Sequence, residues 1–427
     1  MRSWGGPPTV RPTGEGPTGH EVVFRYHDPA ARQVFIKGEW YFARPSELEQ
    51  LAGTPDRPVV ASQGLLPTDW RPGDIPLAHP NAVRPNWPIR PMQRSDDGTW
   101  TFTTPLPPGV FTYSFLIDGE GDDPANWAPV SDPADPPWNE ATGVRLGSIA
   151  PNSQVFVPAD PAFGGVDLGW QGPARLRGAL RHHTYPSPGH VTPPDENYLV
   201  VYLPPGYDAS RPKPYPTLWL SHGGGENEMG WSTQGAAGNI LDNLIAGGEI
   251  EPLVAVMPNA HGLPPSDFNE AYDRDLRDNM LPFVEQHYHV SRDPTDRAFA
   301  GLSLGGQITN SFMLKYPELF GYFGMFSSGL PTAYATLSEA QAEALRNKSV
   351  FIGGGWQDPI HEAGYSGFHR GTARQISAFV KAGIPLTTSF VHGGHNWHVW
   401  RLLLKDFLTR VAFLPRPFAF WDEEKTS

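Results

Sequence analysis

The stretch "RAFAGLSLGGQITNS", Arg297 to Ser311, decides how the second half of the chain folds. Its first residues are apolar or small and read as a buried strand, and "QITNSFMLKYP" just beyond reads as a helix. Gly301, Ser303 and Gly305 fall at the junction, where glycines permit a strained strand-to-helix turn. Such a turn lifts a serine above the end of a sheet as a nucleophile. Without the turn, the same pattern is only a small residue in a tight junction.

Working outward, "NYLVVYLP", "PTLWLSHGGG", "NILDNLIAGG", "LVAVMPN", "LRDNMLPFVEQHY", "YFGMFSSG", "SVFIGGG", "TARQISAFVKAG", "LTTSFVHGG" and "WRLLLKDFLTRV" alternate apolar strands with amphipathic helices. That grammar predicts an α/β domain with a mostly parallel, doubly wound sheet covered on both faces, over residues 176–415. Residues 416–427 are left as a C-terminal tail. Residues 149–175, rich in Pro, Gly and Asp, read as a linker. Ahead of it, residues 21–148 hold short β-prone runs, "EVVFRY", "RQVFIKGEW", "GTWTFTTPL" and "GVFTYSFLIDG", which predict a β-sandwich. A proline-rich insertion over about residues 43–95 interrupts them and carries Trp70 and Trp87; residues 1–20 read as an N-terminal extension.

Composition bounds the partners. The 427 residues carry a formal charge of −13, with 39% hydrophobic and 18% charged residues and no cysteine. Nucleic acid and anionic membranes are disfavoured, because both are held by clustered Lys and Arg. The absence of cysteine excludes disulfides, thiolate nucleophiles and thiolate metal sites. No apolar run is long enough for a membrane span. "MRSWGGPPTVRPTGEGPTGH" shows no signal peptide, so a mature secreted form is expected, with a cytoplasmic protein as the alternative. Oligomeric state is not legible.

Acyl transfer by a serine needs a base, an acid that orients the base, and donors for the oxyanion. "WQDPIHEAG" puts Asp358 just past one later strand, and "HNWHVW" puts His395 just past the next. Catalytic groups gather at the carboxyl ends of strands in open α/β sheets, and the order Ser303, Asp358, His395 is that of the α/β-hydrolase fold. Glu362 is an alternative acid, with Asp358 then a helix N-cap; His392 and His398 are alternative bases or structural histidines. A metal held by His395 and His398 lacks further ligands at suitable spacing, so no metal and no cofactor are expected. The oxyanion donors are expected to be the N–H of Leu304 and an N–H in the glycine run of "LSHGGGENEMGW", with Gly224 favoured.

On these motifs, together with "KYPELFGYFGMFSSG", the segment from about Asn197 to Val411 resembles the esterase-D-like α/β-hydrolases. The nearest likeness is to feruloyl and acetylxylan esterases of carbohydrate esterase family one; enterochelin esterases and mycolyltransferases are more distant. The resemblance implies Ser303 as nucleophile, Asp358 as acid, His395 as base and the "HGGG" loop as oxyanion hole, and Trp231 matches an aromatic that follows that loop. "GTWTFTTPLPPGVFTYSFLIDGEGDDPAN" is similar to early-set, immunoglobulin-like domains related to glycogen-binding modules, so the front domain is expected to brace the hydrolase rather than bind glycan.

The expected function is two-step hydrolysis of a small-molecule or oligosaccharide ester, most simply a feruloyl or acetyl ester, with Trp231 and Trp356 suited to a planar acyl group. The insertion is expected to reach the hydrolase and shape the acyl or leaving-group site through Trp70 and Trp87. The alternatives are a siderophore-trilactone esterase, a mycolyl-type acyltransferase and, from a different class, a non-catalytic glycan-binding protein.

Overall fold

The computed structural model describes residues 6–46, 64–77, 87–139, 152–331, 336–358, 360 and 371–415. Glu362, the tail 416–427 and parts of the insertion and linker lie outside the described residues.

The second half is built on one eight-stranded sheet: β1 (Ala179–Val191), β2 (Pro194–Leu203), β3 (Thr217–Ser221), β4 (Val254–Pro258), β5 (Arg297–Leu302), β6 (Tyr322–Phe326), β7 (Ser349–Gly355) and β8 (Leu386–Val391). Their spatial order is β1-β2-β4-β3-β5-β6-β7-β8. The first two strands run antiparallel to their neighbours, and β4, β3 and β5 to β8 are parallel throughout. This is the α/β-hydrolase arrangement. The central strands β3, β4 and β5 are buried along their whole length, as their unbroken apolar runs require when both faces are covered.

Alternate residues feed two cores. Leu199, Val201, Trp219, Val256 and Phe299 pack with helices α2 (Phe268–Asp275), α3 (Leu281–His287), α4 (Leu304–Lys315), α5 (Glu339–Arg346) and α6 (Thr372–Lys381). Val200, Tyr202, Leu218, Met257 and Ala300 pack on the other face with α1 (Ala237–Ala246) and α7 (Trp397–Arg410). Each fully buried Leu, Ile, Val or Phe side chain stabilises by about 1.5–3 kcal/mol, so both cores resist disruption.

The front domain is all β. One sheet joins Thr9–Pro12, His20–His27, Thr99–Pro105 and Gln93–Arg94; the other joins Pro129–Val130, Gly109–Ile117, Val34–Gly38 and Ile89–Pro91, with Ser153–Val157 paired to Gly109–Ile117. Three expected boundaries change. Thr9–Pro12 is an edge strand on His20–His27, not a free extension; its proline falls at the edge, where a missing ladder donor is tolerated. Ser153–Val157, placed in the linker by composition, completes the sandwich. Ile89–Pro91 and Gln93–Arg94 likewise belong to the sandwich rather than to the insertion.

The sandwich lies on the α1 and α7 face of the hydrolase, and Val110 joins the hydrolase core. The Arg401 guanidinium donates to Val110 O at 3.1 Å and to Gln234 O at 2.6 Å. A cavity of about 290 Å³ separates the two domains beside this contact; Glu39, Phe42, Trp70 and Phe111 line it on one side and His398 and Arg401 on the other.

Candidate active site

β5 ends at Leu302 and α4 begins at Leu304, so Ser303 makes the turn by itself, at φ 50° and ψ −113°. That backbone costs a non-glycine residue about 1–3 kcal/mol and persists only where its surroundings hold it. Here the Ser303 N–H donates to Phe326 O at 2.9 Å, and Ser303 O accepts from Gln307 N–H at 3.0 Å. The flanking glycines answer to crowding. A Cβ on Gly301 would stand 2.4 Å from Gly305 backbone atoms, and one on Gly305 2.3 Å from Ser221 O. Strands β3 and β5 and helix α4 converge too closely there for a side chain.

Asp358 follows β7 and His395 follows β8, and the two loops are laced together. Trp356 N–H donates to Val391 O at 2.9 Å, Gln357 N–H to Gly393 O at 3.1 Å, and Gly393 N–H to Gln357 Oε1 at 2.8 Å. Gly355 is required because a Cβ there would meet Gly393 O at 2.1 Å. The lacing brings His395 Nδ1 to 2.9 Å from Asp358 Oδ2, with His395 only 9% and Asp358 4% exposed. Asp358 Oδ1 accepts from Ile360 N–H at 2.9 Å. A carboxylate accepts, so Nδ1 carries the proton and Nε2 keeps its lone pair for an incoming hydroxyl.

The glycine loop after β3 is pinned at two successive peptides, on either side of Gly223. His222 Nε2 accepts from Ala260 N–H at 2.9 Å, so its Nδ1–H donates to Gly223 O at 2.8 Å. Burial holds this ring neutral, pushing it down to about 3. The Gly223 N–H donates to Glu226 Oε2 at 3.3 Å. A Cβ on Gly223 would stand 3.7 Å from Ser303 Cβ, so the loop borders the serine; a Cβ on Gly224 would meet nothing within 4 Å. Among the described residues, the Gly224 N–H makes no hydrogen bond, and Leu304 N–H, at the first position of α4, has no intrahelical acceptor.

The remaining residues singled out in the sequence divide. Trp231 is fully buried: its indole N–H donates to Ser221 O at 3.0 Å and its ring packs on Trp397 and Phe326. Its side chain is packed in the core beneath the glycine loop rather than on an open surface. Trp356 is 52% exposed beside Phe390, next to the Asp358 loop. His392 is exposed and lies against Gln357. His398 lines the interdomain cavity and is pushed down to about 3 by burial and by Arg401, which weakens it as a base. The insertion reaches the hydrolase at Pro76, whose O accepts from Asn396 Nδ2 at 3.1 Å, beside His395, and Trp70 lines the interdomain cavity. Trp70 is buried in the sandwich core, and Lys37 lies 5.7 Å from the Trp87 ring. Sequence reasoning missed His222 and Glu226; their only signal was proximity to the glycine run.

The Esterase family model matches residues 192–411, and the chain belongs to that family of ester hydrolases. It is 31% identical over 333 residues to the endo-1,4-beta-xylanase/feruloyl esterase of Xylanibacter ruminicola, covering 74% of this chain and 40% of that protein. It is 38% identical over 136 residues to endo-1,4-beta-xylanase Y of Acetivibrio thermocellus, covering 29% of this chain and 12% of that one. The chain thus spans less than half the length of either relative. The enterobactin esterase of Shigella flexneri, solved with 2,3-dihydroxy-N-benzoyl-serine, aligns over 94% of this chain and 95% of its own at 15% identity and a TM-score of 0.50. That likeness concerns the fold, front domain included.

Proposed function

We propose that the protein is a serine carboxylic-ester hydrolase that works through an acyl-enzyme. His395 Nε2 takes the Ser303 proton as Oγ attacks the ester carbonyl, and Asp358 holds the ring's tautomer and stabilises the imidazolium. The N–H groups of Gly224 and Leu304 receive the developing oxyanion. The imidazolium then protonates the departing alcohol, and water, deprotonated by His395, releases the acid. The observation that carries the reading is the single-residue turn at Ser303 in a sheet whose last two strands, β7 and β8, lead into a buried, hydrogen-bonded Asp358–His395 pair.

The substrate class we favour is a feruloyl or acetyl ester of the kind found on plant polysaccharides. The 31% identical relative carries feruloyl esterase in its name, and exposed Trp356 offers a flat apolar face for a hydroxycinnamoyl ring. Rates on methyl ferulate, acetylated xylan and a catecholate trilactone test this. Methyl ferulate or acetylated xylan should turn over fastest in wild type and not at all with Ser303→Ala; preference for the trilactone would overturn the substrate assignment.

A further inference from the structure

Acyl transfer as drawn above leaves Glu226 unused. It follows the glycine run, and its side chain folds back over the loop. Oε2 accepts the Gly223 N–H at 3.3 Å, and it lies 3.6 Å from where a Cβ of Gly223 would stand, a position that Ser303 Cβ borders at 3.7 Å. The same carboxyl group faces Trp397, the first residue of α7. One side chain therefore lies between the oxyanion loop and the segment that carries His395.

We propose that Glu226 is a positioning residue for the oxyanion hole, holding the Gly223 N–H from the side that faces the start of the helix after His395. The inference rests on the reading of Ser303 and the glycine loop as the acyl-transfer site. Gly223 O and the Gly224 N–H belong to one peptide; with that oxygen held by His222 and the N–H of the preceding peptide held by Glu226, the Gly224 N–H is aimed without rearranging during reaction, which is what gives an oxyanion hole its effect.

Charge matters here because a carboxylate beside a forming oxyanion opposes it. The groups facing Glu226 supply no compensating cation. Glu39 comes from the sandwich and raises it further; His261, after β4, is lowered by burial; His222 is held neutral; α7 presents the uncharged Trp397; and Arg401 faces Glu39. Burial pushes the Glu226 carboxyl up to about 8. At neutral pH it is protonated and still accepts hydrogen bonds through its carbonyl oxygen. Above about 8 it ionises and sets a negative charge next to the hole, so kcat should fall as pH rises through that value.

The test is kcat and KM for p-nitrophenyl acetate, corrected for spontaneous hydrolysis, across roughly two pH units either side of neutrality-to-alkaline conditions, for wild type, Glu226→Gln and Glu226→Ala. Gln mimics the protonated acid and does not titrate. Glu226→Gln should keep neutral-pH kcat within about 3-fold and lose the alkaline fall, whereas Glu226→Ala should lose about 10–100-fold in kcat with KM little changed, as a misaimed donor does. If the Ala variant does not fold, the Gln profile decides alone. A Gln variant that keeps the wild-type alkaline fall overturns the role assigned to Glu226. Ser303→Ala run alongside separates the two claims: if it turns over like wild type, the underlying site reading has failed; if it is inactive, the result speaks about Glu226 alone.

Discussion

Asp358 holds both of its oxygens in use, one on His395 and one on the Ile360 N–H; the bond to His395 is the one the proposed orienting acid needs and a helix cap alone does not. Replacing it by Asn leaves the shape and removes the acceptor that keeps the proton on Nδ1. Asp358→Asn should therefore lower kcat on the order of 10³–10⁴-fold with KM little affected, read from steady-state kinetics on an aryl ester. Retention of activity, with collapse in Glu362→Gln, would hand the role to Glu362. At this scale the sequence was informative about position: Ser303, Asp358 and His395 each follow a strand as expected, and Asp358 meets His395. It was silent where function depends on direction. Trp231 stands beside a glycine loop, and only the structure shows its indole N–H turned inward to Ser221 O. Glu226 resembles any loop glutamate until its carboxyl is seen folded over Gly223.

At the scale of elements, the elbow is held by what its neighbours exclude. Gly305→Ala would drive a Cβ to 2.3 Å from the Ser221 carbonyl oxygen and to 2.7 Å from that of His222. Both obstacles are backbone, so the strand-to-helix junction must open. We expect a loss of several kcal/mol, on the order of the larger single-site effects, together with loss of activity, measured by urea unfolding and esterase assay. Gly238→Ala is the contrasting case, since a Cβ there meets nothing within 4 Å on helix α1; it should stabilise by about 0.5–1 kcal/mol. The parallel strands were legible because burial on both faces demands unbroken apolar runs. Thr9–Pro12 and Ser153–Val157 were not, being short strands set among Pro and Gly whose pairing depends on partners distant in sequence.

For the whole molecule, the sandwich acts as a brace, in our reading, through a buried charge. Arg401, on α7, donates to a sandwich carbonyl at Val110 and faces Glu39, which burial pushes up to about 7 despite the cation. A carboxyl raised from its ordinary value of 4.5 stabilises the fold most when protonated. That contribution is complete below the unfolded value and is lost as pH rises through about 7. Arg401→Leu removes the donor and strands Glu39. It should cost about 3–5 kcal/mol above the Glu39 value, where the carboxylate is left unpaired, and less at mildly acidic pH, where Glu39 is neutral. Thermal unfolding at the two pH values checks the sign; an equal loss at both would show that Glu39 does not depend on Arg401. The contact between Pro76 and Asn396 also places the front domain beside the His395 loop, an arrangement that the proline-rich sequence suggested without identifying the residue that makes it.

The most direct test of the central claim is to trap the nucleophile. Wild-type protein treated with a fluorophosphonate and analysed by intact mass and peptide mapping should gain one adduct, on Ser303, with loss of turnover, and Ser303→Ala should gain none while unfolding normally. An adduct on another residue, or one that persists in Ser303→Ala, would contradict the account.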